Sequence, residues 1–368
     1  MNPSIPLPSP IRMLLSCLVL AGVPAAGGLG AQEEVLTEAE IAQRAEQAEN
    51  APLFQSDETL AITLRTDIDW LRDERNDSVE VDGTVTVVHP DGSSVEVPVE
   101  VRARGNFRRE KRNCNFPPLR LDFPTRRVEG TVFEGQDKLK LVTPCHDSRD
   151  SYQQYVLQEY LAYRVYEILT PVSFRVRLVH VTYEDVNGEY DTRTKTAFLI
   201  EDEEQMAWRN HGQYEEWNQF HPYNTDDEQS GLFSLFQYMI GNTDWSSFQF
   251  HNAKLVRLEG GRYMVVPYDF DFSGVVDARY ATPDPSLPIR DVRQRLFRGF
   301  CRPNLDQAAL IARFNAIRDD VWALYQGMEE LEEGERNDSL EYYEEFYETI
   351  NDEGRYERRV VEACRKIG

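Results

Sequence analysis

Four valines in residues 95–101 alternate with polar residues, and the turn sequence Pro90-Asp91-Gly92 stands just before them. A period of two is typical of a strand that buries one face of a sheet, because successive side chains point to opposite faces. Residues 84–88, on the other side of the turn, have the composition of a partner strand. The pattern therefore predicts an antiparallel hairpin in the first third of the chain.

Further strands and helices follow from periodicity and turn residues. A capping box, Thr37-Glu38-Ala39-Glu40, predicts a short leader helix to about residue 49. A helix is predicted at 151–169, with Leu157, Leu161, Val165 and Ile168 on its apolar stripe. The other predicted elements are strands at 119–123, 138–141, 174–183 and 194–200, a buried helix at 232–240, a hairpin of 252–258 with 262–266, and helices after Pro288.

The first 31 residues have the pattern of a secretory signal peptide. Arg12 precedes the apolar run 13–21, and small residues follow it. The run is shorter than the roughly 20 residues that a membrane-spanning helix needs. Cleavage after Ala26, Gly28 or Ala31 fits the pattern, and Ala31 is favoured. The sequence predicts an exported protein, periplasmic or secreted, without a transmembrane segment.

The formal net charge of −24 argues against a nucleic-acid partner, because a field of that sign repels phosphate backbones. Four cysteines follow the predicted signal. In an exported chain an even number favours disulfides, with three possible pairings. Cys114–Cys145 and Cys301–Cys364 are the favoured pairs since each is local, and buried free thiols are the alternative.

Polar residues surround the second predicted hairpin. Asp244 follows the buried helix, Asn252 begins the hairpin, and Asp269 and Asp271 follow its returning strand. Because a hairpin brings its two ends together, these side chains are expected to converge. Their oxygens are ligands suited to Mg²⁺, which also binds substrate phosphates. Each motif alone is more often a turn or a helix cap.

Five motifs follow one another along the chain: Arg102-Ala103-Arg104-Gly105-Asn106, the strand with Lys138 and Lys140, the helix after Asp147-Ser148-Arg149, Gly241-Asn242-Thr243-Asp244, and Tyr268-Asp269-Phe270-Asp271. They occur in the order seen in the CotH (spore coat protein H) kinase-like family, which this chain resembles over roughly residues 95–300. The last two motifs also resemble the corresponding stretch of HipA-type kinases.

The resemblance implies an α+β, two-lobed atypical protein-kinase-like fold with a β-rich N-terminal part and a helical C-terminal part. It also implies ATP and Mg²⁺ as cofactors and Ser or Thr of envelope or surface proteins as acceptors. The expected organisation is a signal peptide (1–31), a helical leader (32–56), a β-rich region (57–132), a kinase-like core (133–300) and C-terminal helices (301–368).

The resemblance also assigns the polar residues around the hairpin. Asp244 corresponds to the catalytic aspartate, and Asn252 and Asp269 to the metal ligands. Asp271 is the next acidic residue of the family's pattern and a further metal candidate. The eight-residue spacing from Asp244 to Asn252 departs from the five of typical kinases, so the loop is expected to be longer or another residue to replace Asn252.

The nucleotide is expected to contact a second group of residues. Lys140 is the first choice for the phosphates and Lys138 the reserve, with Glu159 as the ion-pair partner of that lysine. Arg104 is a further phosphate candidate, because the sequence has no glycine-rich phosphate loop. Glu201 is expected where the adenine-binding linker lies.

An alternative function remains open, namely a non-catalytic envelope module that binds a divalent cation such as Ca²⁺. ATP is scarce outside the cytoplasm, and this favours the module. His251 is interpreted as an ordinary core or edge histidine in an apolar strand.

Overall fold

The computed structural model describes residues 37–88 and 92–366, and from Glu38 onward the described residues form one compact unit. The predicted signal peptide and the turn residues Pro90 and Asp91 lie outside the described residues. Ten strands occur in the described part of the chain: β1 Leu60–Thr66, β2 Val81–Val88, β3 Ser94–Ala103, β4 Leu119–Asp122, β5 Lys138–Val142, β6 Val176–Asp185, β7 Arg193–Ile200, β8 Gly212–Glu215, β9 Ala253–Leu258 and β10 Tyr263–Pro267.

The same residues contain nine α-helices: α1 Glu38–Glu49, α2 Ile68–Glu74, α3 Ser151–Leu169, α4 Glu203–Arg209, α5 Asp227–Met239, α6 Gln307–Ala316, α7 Arg318–Gly327, α8 Glu333–Ile350 and α9 Glu353–Tyr356.

The first seven strands close into a barrel in the order β1-β2-β3-β4-β5-β7-β6. β2 and β3 pair antiparallel from Val81↔Val101 to Val88↔Ser94, which confirms the first predicted hairpin. β1 pairs antiparallel with β2 and parallel with β6, and the parallel pair closes the barrel. The barrel core is filled by buried aliphatic and aromatic side chains, as in other small barrels.

The prediction of a two-lobed atypical protein-kinase-like fold is wrong. The structure has a closed seven-stranded barrel, a separate three-stranded sheet and helices. The physical reason is the parallel pairing of β1 with β6, which runs from Leu60↔Val179 to Thr66↔Asp185. These residues are more than 100 positions apart, and neither the local sequence patterns nor the family resemblance that implied the fold indicates their pairing.

The second sheet has the order β10-β9-β8 and is antiparallel throughout. β9 and β10 form the second predicted hairpin. α3 has the predicted bounds, but Ile168, placed on its apolar stripe, is 37% exposed. The stripe is wrong at this residue because α3 is buried on most of its surface, so a single-stripe pattern does not describe it.

The chain is irregular from residue 288 to α6, where helices were predicted. Arginine side chains replace regular backbone pairing in this segment. Arg302 donates to the carbonyl of Thr225 and to Asp227, and Arg295 donates to the carbonyl of Met239. These bonds hold the irregular segment against the body of the protein.

Both favoured disulfides, Cys114–Cys145 and Cys301–Cys364, are present. Two disulfides fit a protein that folds outside the reducing cytoplasm. None of the helices within residues 37–88 and 92–366 combines the length and the apolarity that a bilayer crossing requires.

Candidate active site

A pocket of about 500 Å³ lies where the barrel meets the second sheet. Its walls come from the loop after β3 (104–108), from Glu159 and Tyr163 on α3, and from residues 268–272 after β10. Asp244, Phe250, His251, Asn252 and Lys254 also line it. The structure thus brings Asp244, Asn252, Asp269 and Asp271 to one pocket, as the hairpin argument predicted.

Asp244 is held by two neighbours from the loop that follows it. Nε2 of His251 donates to its Oδ1 over 2.9 Å, and Nδ2 of Asn252 donates to its Oδ2 over 3.1 Å and to its backbone oxygen over 2.8 Å. Ser246 N donates to His251 O, so the loop folds back on itself. This is how Asn252 reaches Asp244 despite the eight-residue spacing.

His251 differs from the expectation for a histidine in an apolar strand. Its side chain is about half-exposed and directly contacts Asp244. The hydrogen bond with Asp244 raises the pKa of His251, which outweighs the opposing effect of partial burial. His251 is therefore part of the site.

The turn that presents Asp244 depends on a glycine. Gly241 has φ of 68°, and a Cβ on it would collide with the hydroxyl of Tyr342. Asn242 then accepts from the backbone N of Asp244 over 2.9 Å through its Oδ1. Only glycine fits this left-handed, tightly packed position at the end of α5.

Asp269 is the second residue after β10 and has a left-handed conformation with φ of 62°. Its backbone N donates to the hydroxyl of Tyr163 over 2.8 Å. Burial raises the pKa of Tyr163 well above its usual value, so this hydroxyl stays protonated. The bond fixes the backbone of Asp269 at the pocket wall in a conformation that few non-glycine residues adopt.

A second acidic pair lies beside Asp269. Glu159 and Asp271 are buried, and Nη1 of Arg108 is 3.9 Å from Oε2 of Glu159 and 4.0 Å from Oδ2 of Asp271. Burial, with the charge of Asp269, raises the pKa of Asp271 to about 8. Burial and the charge of Asp271 raise the pKa of Glu159 well above its usual value. Glu159 and Asp271 thus share Arg108 as their ion-pair partner, and the charge of Arg104 acts on Glu159 as well.

Cationic groups surround Tyr268 next to this cluster. Nζ of Lys140 and Nζ of Lys254 each lie 5.4 Å from the centroid of its ring, and Arg104 donates to its hydroxyl. Glu203 pairs with Lys140 and, over 3.0 Å, with Lys254. Burial would raise the pKa of Glu203, but the two lysines together hold it well below its usual value.

The predicted nucleotide residues are distributed unevenly around the pocket. Arg104 and Glu159 line it, whereas Lys140 lies behind it and bonds to Glu203 instead of Glu159. Lys138 is exposed beside Asp137. Glu201 is buried and forms an ion pair with Arg209 at 3.0 Å, away from the pocket lining.

Besides His251 and Arg108, sequence reasoning missed Lys254 and Glu203, for different reasons. Lys254 lines the pocket and stands two residues after Asn252 at the start of β9, so the strand period was a usable signal. Glu203 begins α4 and joins Lys254 to Lys140 from a distant part of the chain. No local signal identifies it as their partner.

The buried Lys140 is expected to make the free energy of unfolding depend on pH between about pH 8 and 10.5. Burial lowers its pKa to about 8 in the folded protein, against an ordinary value of 10.5. Between these values the unfolded state binds more protons, so the free energy of unfolding rises with pH. We expect it to rise by roughly 1–3 kcal/mol more in the wild type than in Lys140→Met between pH 8 and 10.5. Urea unfolding at several pH values measures this, and equal slopes would contradict the expectation.

The donor set fits Mg²⁺ bound together with a phosphate. Within the part of the chain that the structure describes, no three His, Cys, Asp or Glu residues are arranged to hold a metal without help. Mg²⁺ commonly binds through one or two carboxylates and completes its shell with water and substrate phosphates. Asp269 and Asn252 supply such donors, and the crowded carboxyl groups of Asp271 and Glu159 are what a nearby cation would stabilise.

Comparison of this chain with protein-family models, curated proteins and solved structures finds no match.

Proposed function

We propose that the protein is an exported phosphotransferase that moves the γ-phosphate of ATP to Ser or Thr of envelope or surface proteins. One observation carries the proposal. Asp244, Asp269 and Asn252 line one side of the pocket that Arg104 and Lys254 also line. Oxygen donors for Mg²⁺ beside fixed cations for phosphates are the two components that phosphoryl transfer requires.

In the proposed reaction the acceptor hydroxyl attacks the γ-phosphorus, and the bond from that phosphorus to the bridging oxygen of ADP breaks. Asp244 orients the hydroxyl and accepts its proton. Asp269 and Asn252 hold Mg²⁺, which neutralises the charge on the phosphates when bound. Lys254 and Arg104 bind phosphate oxygens, and Glu203 keeps Lys254 in position.

The proposal does not depend on a kinase-like fold. A reaction of this kind needs groups in the right places, and such sites occur on unrelated folds. The order of the motifs, which resembles the CotH kinase-like family, adds support independent of the barrel. The spacing of eight residues between Asp244 and Asn252, which departs from the five of typical kinases, does not argue against the proposal, since the two side chains are in contact.

Asp244→Asn tests the catalytic step. We expect phosphate transfer from γ-labelled ATP to serine peptides to fall by at least about 100-fold, because the amide no longer accepts the proton. ATP–Mg²⁺ affinity should stay within about threefold of the wild type, since Asp244 is not among the proposed phosphate or metal contacts. Unchanged transfer in this variant would refute the assignment of Asp244.

Lys254, which lines the pocket, should contribute more to ATP–Mg²⁺ binding than Lys138, the reserve choice from the sequence. We expect Lys254→Met to weaken ATP–Mg²⁺ binding by about tenfold or more, the usual effect of losing a hydrogen bond to a charged group. The exposed Lys138→Met is the matched control and should bind as the wild type does. Isothermal titration measures both, and equal losses would show that Lys254 has no special role.

A second function, cation binding without catalysis, has one observation in its favour. Both carboxylate oxygens of Asp244 already accept hydrogen bonds, from His251 and Asn252, which competes with an acceptor hydroxyl. In that case Ca²⁺ alone should raise the melting temperature while ATP with Mg²⁺ does not.

A further inference from the structure

Two arginines lie against the indole of Trp245, the residue that follows Asp244. The Cζ atoms of Arg298 and Arg365 are 5.6 Å and 5.8 Å from the centroid of its ring. Trp245 is buried, and its Nε1 donates to the carbonyl of Asn242 over 3.0 Å. The indole therefore fixes both guanidinium groups beside the proposed catalytic aspartate.

Arg298 contacts the chain directly before that aspartate. Its Nη1 donates to the carbonyl oxygen of Thr243. Within the described residues no carboxylate is at ion-pair distance from it, but the charges of Asp244 and Asp284 act on it from farther away, and its own charge acts on His251. The remaining donors of its planar group are available for a ligand.

Arg365 is brought here from the end of the chain. Its backbone N donates to Gly299 O over 2.8 Å, and its O accepts from Cys301 N over 2.9 Å. The Cys301–Cys364 disulfide covalently fixes the preceding residue. The side chain lies 4.3 Å over Phe300, and its Nε is buried without a hydrogen-bond partner.

The two arginines form a cationic pair with no ion-pair partner at close range in the described residues, since Asp244 and Asp284 act on Arg298 only from farther away. Other arginines that are shielded from solvent either pair with an acid, as Arg209 does with Glu201 at 3.0 Å, or donate to backbone carbonyls, as Arg177 does. Burial and the charge of Arg298 lower the pKa of Arg365 to about 10, a sign that the two like charges interact. Placing cations together without an anion is unfavourable, and an anionic ligand removes that cost.

The inference rests on the proposed function. We propose that Arg298 and Arg365 bind a carboxylate side chain of the acceptor, so that acceptor Ser or Thr residues lie in acidic segments. The protein as a whole is acidic, but exposed charges farther than about 10 Å away are largely screened at physiological ionic strength. The local pair therefore decides which side chain is accepted next to Asp244.

Fluorescence anisotropy with two dye-labelled peptides tests this without turnover. One peptide has a central serine among glutamates, and the other has glutamines in their place. The wild type is expected to bind the glutamate peptide at least tenfold more tightly, and added salt should weaken only that binding. Equal affinity for the two peptides would overturn the proposal.

Substitutions test whether Arg298 and Arg365 cause the preference for the glutamate peptide. In the double variant Arg298→Met/Arg365→Met this preference should fall to less than about twofold, because the charge-assisted hydrogen bonds are lost. The exposed Arg290→Met is the matched control and should keep it. Cys301→Ser with Cys364→Ser, which releases Arg365, should lower it as well. A preference that survives in the double arginine variant would refute the site.

The same samples separate this inference from the proposed function. If ATP–Mg²⁺ stabilises the wild type but the peptides bind equally, the acidic subsite is wrong and the phosphotransferase stands. If the glutamate peptide binds through the arginines but ATP–Mg²⁺ has no effect, the subsite stands and the phosphotransferase is wrong.

Discussion

Replacement of Asp269 by asparagine is expected to weaken the binding of ATP–Mg²⁺ by at least about 100-fold, because the charge that holds the metal beside the phosphates is removed. Asparagine tolerates the left-handed backbone that Asp269 adopts, and the bond from its backbone N to Tyr163 does not involve the side chain. The fold should therefore survive. Isothermal titration of the folded variant measures the affinity.

Asp277 provides the matched control. It is also an aspartate with positive φ, 47°, but it lies outside the pocket lining and faces Arg293 at 3.9 Å. Asp277→Asn makes the same chemical change on the same kind of backbone. The affinity of Asp277→Asn for ATP–Mg²⁺ should stay within about twofold of the wild type. A comparable loss in both variants would show that the effect comes from the change in the protein's overall charge and not from the loss of a metal ligand.

Removal of the Cys114–Cys145 disulfide by a double serine substitution should cost about 3–4 kcal/mol in the free energy of unfolding, from the loop-closure entropy of a 31-residue separation. The affinity for ATP–Mg²⁺ should fall as well. Cys145 O accepts from the backbone N of Asn115 and of Phe116, and Arg75 donates to Cys114 O. This bridge anchors the loop after β3, whose residues 104–108 line the pocket. Urea unfolding and ATP–Mg²⁺ titration together measure both effects.

The second disulfide is the control for that experiment. Cys301–Cys364 spans a longer separation of 63 residues, so its loss should cost about 4 kcal/mol. However, neither cysteine lines the candidate pocket. ATP–Mg²⁺ affinity should fall about tenfold or more only in the Cys114/Cys145 variant. Equal affinities in the two double variants would contradict the anchoring role of the first disulfide.

Local elements were predictable from the sequence because local chemistry determines them. The period-two valines led to β3 and its hairpin, and the apolar periodicity of residues 151–169 led to α3. Asp244, Asn252 and Asp269 met at one pocket because a hairpin brings its ends together. The cysteine pairs followed from proximity along the chain.

The barrel was not predictable because its closure is not local. β1 pairs with β6, which lies more than 100 residues away in the sequence. Judged by their alternation of apolar and polar residues, several other strands were equally suitable partners for β1. The prediction that Glu159 pairs with Lys140 failed for the same reason. Glu159 lies near Arg108, which belongs to the loop after β3, whereas Lys140 forms its ion pair with Glu203 of α4. Which acid meets which base depends on how distant elements pack.

Thermal unfolding of the disulfide-intact protein with ATP, with Mg²⁺, with both and with Ca²⁺ alone is the most direct test of a nucleotide site. A ligand that binds only the folded state raises its stability by RT ln(1 + [L]/Kd). The proposed function predicts a clear rise in melting temperature only when ATP and Mg²⁺ are present together. No rise with both, or a rise with Ca²⁺ alone, would contradict it.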